Sequence, residues 1–126
     1  MVLNSFFAVA LGGAIGVMSR HWLNIILTKN FPSHIPIATL SVNLIGGFFV
    51  GVFVALSIYF HWSNTAKLIL ITGVLGGLTT YSTFAIETMF LLEKSYLYGF
   101  LNIFYNLVGA LVLCFVGFKV VETLLN

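Results

Sequence analysis

Asn43, Thr39, Ser41, Ser82, Thr83 and Asn106 are hydrogen-bonding residues set within otherwise apolar stretches. Each amide carries a pair of N–H groups and each hydroxyl a rotatable O–H, and together these donors can replace the water around a small anion. Donation to an anion is charge-assisted and roughly twice as strong as a neutral hydrogen bond. For Asn43 the plainer alternative is an interhelical hydrogen bond. Arg20 either raises the positive potential at the mouth of an anion route or snorkels to the interface or pairs with the end of a helix. Glu87 shares a helical face with Thr80 and Thr83. An ionised carboxylate there repels an anion, so a part in the route requires a neutral form favoured by burial, which can donate, or rotation as the ion passes. Covalent catalysis has no support, because His21, His34 and His61 lie near segment ends and none shares a face with a candidate nucleophile. Their spacing suggests no metal site.

Such donors need a scaffold that keeps bulk water out. The chain has 126 residues, of which 60% are hydrophobic and 6% charged, and its mean hydropathy is +1.13. An ordinary soluble domain carries roughly 25% charged residues, so this is an integral membrane protein. The formal charge of +2 is too small and scattered for nucleic acid or a polybasic membrane patch. No linker composition divides residues 1–126, which form one domain. Cys114 is the single cysteine, which excludes an intrachain disulfide.

Four apolar segments, about 5–27, 37–60, 67–92 and 98–124, each reach the ~20 residues that a spanning helix needs. The start Met-Val-Leu-Asn has no basic residue, so the first segment reads as a retained helix and not a signal peptide. Phe31-Pro32-Ser33-His34-Ile35-Pro36 is a loop, His61–Asn64 an interfacial turn with Trp62 at headgroup level, and Glu93-Lys94-Ser95 a short turn flanked by Tyr96 and Tyr98. Gly12, Gly16 and Arg20 share one face of the first segment, and the glycines form a small-xxx-small contact. Thr39, Asn43, Gly47 and Gly51 make a similar stripe on the second. Asn102, Asn106 and Gly109 lie on one face of the fourth, with Asn102 read as structural.

The third segment is unlike the others. Thr72-Gly-Val-Leu-Gly-Gly-Leu-Thr-Thr-Tyr-Ser-Thr-Phe84 places Gly76-Gly77 and a run of hydroxyl residues in its middle. Glycine costs about 1 kcal/mol against Ala in a helix, and Ser and Thr offer the backbone competing partners, so helix is weakest between Gly76 and Thr83. A break at membrane depth is tolerated only where protein buries it or water reaches it, so it should line a site.

Four spans put both termini on one side. Lys67 and Lys119 fall on that side, Lys29 and Lys94 on the other, with Arg20 deeper in the first span. This near-tie in the residues that set orientation predicts insertion both ways up and pairing of two inverted copies.

On Gly12-Gly13 through Arg20, on Thr39-Leu-Ser-Val-Asn43, and above all on Thr72–Phe84 followed by Glu87, the chain resembles the fluoride channel family known as Fluc or CrcB along essentially its whole length. The resemblance implies an all-α, antiparallel, dual-topology homodimer in the bacterial inner membrane with fluoride pathways. It implies a structural sodium ion at the dimer centre, held by main-chain carbonyls that fall on Gly76 and Thr79. It also implies that Asn43 and two aromatic rings line the route, and these rings fall on Tyr81 and Phe84. An aromatic edge is positive and can lie against an anion. The chain departs from the family pattern at Tyr81, where Phe is usual.

Two other readings compete. A proton-coupled exporter of the small multidrug-resistance type also uses four short spans, but it needs an acid in its first span, where this chain has Arg20. A non-transporting assembly subunit would use the polar stripes as helix glue.

Overall fold

The computed structural model describes residues 2–126. All regular structure among the described residues is helical, in four apolar spans, Val2–Asn30, Ile37–Tyr59, Asn64–Lys94 and Tyr96–Leu125. The first span outruns the expected 5–27 at both ends. Ser5 Oγ donates to the Val2 carbonyl at 2.6 Å, and Asn30 Nδ2 to the Ile26 carbonyl at 2.8 Å. Polar side chains that end an apolar run can thus still close helical turns. At 1.5 Å per residue the helix is roughly 44 Å long, beyond a ~30 Å hydrocarbon core, so it tilts or protrudes.

The turns are tighter than expected. Between the third and fourth spans only Ser95 leaves the helix, at φ −159° and ψ 116°, while Glu93 and Lys94 complete the third span. Gly99 makes the reversal possible, since a Cβ there would run into the Leu92 side chain. Between the second and third spans His61 takes a left-handed backbone, φ 48°. Trp62 then closes back on the Ser57 carbonyl at 3.1 Å, and Ser63 caps the third span by accepting from Ala66 N.

The third span is broken near its middle, within the expected window from Gly76 to Thr83 and at its hydroxyl pair. Gly76 is helical, at φ −63° and ψ −35°, whereas Thr79 (ψ 156°) and Thr80 (φ −147°, ψ 119°) are extended. Gly77 serves packing: a Cβ there would sit 2.8 Å from the Gly13 carbonyl oxygen. Close approach to the first span offsets the intrinsic cost of glycine, and the hydroxyl pair takes the interruption. Leu68–Leu75, just before it, winds in the wider turns of a π-helix, which recur at Tyr105–Gly109 in the fourth span.

Glycine contacts define two parallel pairs. Cβ atoms on Gly12 and Gly16 would overlap the carbonyls of Ile69 and Val74, so the first span lies directly on the third. Gly51 meets the Cys114 carbonyl and Gly117 that of Phe48, which joins the second span to the fourth. Val42, Leu75 and Leu78, with Leu23, Val50 and Phe53 around them, form the apolar core between the pairs.

Candidate functional site

The break is held open by side chains. Thr80 N donates to Asn43 Oδ1 at 2.8 Å, and Asn43 Nδ2 donates to the Thr80 carbonyl at 3.1 Å, so one amide grips the backbone of one residue at both its polar groups. Thr80 Oγ1 accepts from Thr83 N at 3.3 Å and thereby caps the second half-helix. In an unbroken helix the Thr80 and Thr83 N–H groups would close on the carbonyls of Gly76 and Thr79. Their capture releases those two carbonyls.

The released carbonyls are the ones expected to hold a cation. Main-chain oxygens suit a hard ion such as sodium. Gly76 lies exposed on the outer face of its half-helix, with only ordinary contact where a Cβ would stand. Thr79 O already accepts from Arg20 Nη1 at 3.2 Å and keeps one lone pair. The donor set fits. No group of three or more His, Cys, Asp or Glu residues among the described residues could hold a metal.

Two clefts meet at the break, and a third adjoins the second of them. One of about 280 Å³ is lined by Asn43, Thr79, Thr80, Tyr81, Phe84 and Asn106 among others. A second, of about 390 Å³ and more polar, is lined by Arg20, His21, Asn24, Thr39, Thr80 and Thr83. The third, about 500 Å³, runs from Asn24 past the Phe31–Pro36 loop to Glu87. Thr80 borders the first two and Asn24 the last two, so the clefts form a series.

The expected residues fall mostly along that series. Phe84 is 6% exposed and Tyr81 73%, with ring centroids 5.5 Å apart at 59°. One ring is therefore fixed inside the chain and the other faces out of it. Thr39, 1% exposed, donates to Glu87 Oε1 at 2.9 Å, while Glu87 Oε2 is buried without a partner. Arg20 pairs with the end of the first half-helix, one of the readings considered for it, and also lines the second cleft. Ser41 and Ser82 do not join the group. Ser41 is two residues from both Thr39 and Asn43, hence on the opposite side of its helix, and Ser82 points outward, exposed.

Asn43 is more occupied than a free donor would be. Its Nδ2 also donates to Asn106 Oδ1 at 2.8 Å. Behind Asn106 stand two residues that the sequence reading left out of the site, Asn102 and Thr88. Asn106 Nδ2 donates to Asn102 O and Oδ1 at 3.0 and 3.1 Å, Asn102 Nδ2 to Thr88 Oγ1 at 2.9 Å, and Thr88 Oγ1 to the Phe84 carbonyl at 2.7 Å. The four-residue spacings Phe84–Thr88 and Asn102–Asn106 were the available signal.

The chain has relatives among known proteins. The family described as "CrcB-like protein, Camphor Resistance (CrcB)" matches residues 7–118. The chain is 42% identical over 126 residues to a Campylobacter fetus protein named "Fluoride-specific ion channel FluC", covering 98% of each chain. Proteins of the same name from Serratia proteamaculans (39% identity, 95% of each chain) and Sulfurimonas denitrificans (39% identity, 97% of this chain and 96% of the relative) are similarly related.

Proposed function

The chain belongs to the CrcB-like family, and from that premise we propose the route taken by the fluoride ion that it conducts. It is an integral membrane protein of the bacterial inner membrane and a fluoride-selective channel, through which the ion leaves the cell down its gradient. Relatives of the same length named as fluoride channels carry this conclusion.

The route follows the three clefts. From the wide third cleft the anion enters the second, where Arg20 draws it in and the Thr83 hydroxyl offers a donor as water is shed, with Thr39 able to do so when it lets go of Glu87. At the break, Asn43 has both N–H bonds engaged, so it serves the ion by exchanging the Asn106 or Thr80 acceptor for fluoride. Beyond it the ring edges of Phe84 and Tyr81 offer weak positive potential in a passage too dry for hydration. Glu87, held by Thr39 on one oxygen, has its second oxygen free to accept a proton or to turn.

A second copy in the opposite orientation completes this reading. Tyr81 is 73% exposed beside a cleft that opens out of the chain, and an inverted partner would cover it. The near-tie of Lys and Arg between the two sides supports insertion both ways up. The carbonyls of Gly76 and Thr79 would hold a sodium ion between the two copies, where its charge would neutralise the freed helix ends.

Purified protein in liposomes, loaded with fluoride and followed with a fluoride electrode, tests the function. The expected result is rapid passive efflux that discriminates strongly against chloride. Proton-coupled exchange of a cationic drug would favour an exporter, and no flux at all an assembly subunit.

A further inference from the structure

We infer that Thr88 and Asn102, which line none of the three clefts, are positioning residues that hold Asn106 as the acceptor of the Asn43 amide and tie it to the backbone of Phe84. The inference rests on the reading above, in which Asn43 and Phe84 border the fluoride route.

The hydrogen bonds run in one direction. Asn43 donates to Asn106, Asn106 to Asn102, Asn102 to Thr88, and Thr88 to the carbonyl of Phe84. An amide can be turned end for end, so each link alone leaves the direction open. Three backbone groups remove that freedom, because a backbone N–H can only donate and a carbonyl only accept. Thr80 N requires Asn43 to present its oxygen. The main-chain carbonyl of Asn102 requires Asn106 to present its nitrogen. The carbonyl of Phe84 takes the Thr88 proton and leaves Thr88 an acceptor for Asn102. All three impose the same direction.

The circuit lies in the protein's driest region. Asn102 is 0% exposed, and Thr88 and Asn106 are also buried. It begins on the second span, crosses to the fourth, and returns to the third at the backbone of the residue whose ring lines the cleft. Donor and ring are thereby held in one relation, which is what discrimination between a small anion and a larger one requires. Breaking the circuit at Thr88 removes no cleft-lining side chain, but it leaves the Asn102 amide without its acceptor, so that its Oδ1 can turn away and Asn106 keeps one of its two partners.

The test is Thr88→Val, which matches threonine in shape but cannot donate or accept, beside Thr88→Ser, which can do both. In liposomes Thr88→Val should lower fluoride efflux per channel between about threefold and twentyfold, the weight of one interhelical hydrogen bond in a membrane. It should also lower the fluoride-to-chloride ratio, and Thr88→Ser should restore both. A packing role alone would change the yield of folded protein and leave that ratio untouched. Thr88→Val with efflux and ratio within about twofold of the parent overturns the inference. A measurement on the unaltered protein covers the case in which the valine variant does not fold. The side-chain amide protons of Asn102 and Asn106 should exchange with solvent far more slowly than those of exposed Asn4, and equal rates overturn the inference. If the parent protein passes no fluoride, the functional reading fails instead, and amide exchange alone decides the circuit.

Discussion

Asn43→Leu removes the clamp on the break at nearly constant volume, and the structure sets the scale of the effect. Three hydrogen bonds disappear, at 2.8, 3.1 and 2.8 Å, to Thr80 N, Thr80 O and Asn106 Oδ1. If these groups find new partners, each bond is worth about 0.6–1 kcal/mol in a membrane, a total of about 2–3 kcal/mol. If they stay buried and unpaired, each costs about 1–3 kcal/mol, and the total reaches roughly 3–9 kcal/mol. The two cases describe different structures. Re-pairing is available to Thr80 N, which can close on the Gly76 carbonyl and so draw the break toward continuous helix. A loss of about 2–3 kcal/mol with fluoride flux abolished therefore indicates a healed helix. A larger loss indicates a break that persists unsupported. Equilibrium unfolding in mixed detergent measures the first quantity and the electrode assay the second. A variant that conducts as the parent does, with stability unchanged within about 0.5 kcal/mol, refutes the assignment of Asn43 as the residue that holds the chain open.

Other perturbations probe separate links. Thr80→Val removes the cap on the second half-helix and should cost about 0.5–2 kcal/mol in the same unfolding assay, whereas Thr80→Ser should not. Gly16→Ala drives a methyl into the Val74 carbonyl, which cannot yield as a side chain could, and should cost about 1–3 kcal/mol. Gly13→Ala meets nothing within 4 Å and should be tolerated. Glu87→Gln retains the acceptor for Thr39 but has no carboxyl proton to give or take, so flux should fall and lose its dependence on pH. Unchanged flux and pH response would take Glu87 out of the mechanism.

Much of this architecture was legible in the residues because the bilayer restricts what a chain can do. Runs of apolar residues fixed the four spans to within a few positions, and the hydroxyls after Gly76-Gly77 marked an interruption that lipid alone would not permit. The interruption falls inside the expected Gly76–Thr83 window, at Thr79 and Thr80, and what the pattern could not give is that Gly77 is kept for packing against the first span. Ser41 shows the opposite error, a donor counted by type although its two-residue offset from Thr39 and Asn43 placed it on another face. Asn102 and Thr88 needed the pairing of the third and fourth spans before their relation to Asn43 could be seen. Nothing in a linear pattern reports which amide donates to which.

The order in which spans pair also bears on how the protein is made. The first span packs closely on the third and the second on the fourth, so no helix finds its tightly fitting neighbour in the next one to leave the ribosome. The second helix must wait in the lipid, with Gly47 and Gly51 uncovered, until the thirty residues of the fourth span, Tyr96–Leu125, have been delivered. Biogenesis is therefore late-locking: a nascent chain lacking that span can still clamp Asn43 on Thr80, but Asn43 has no Asn106 to donate to and Gly51 has no helix against it, and quality control should recognise it as unfinished.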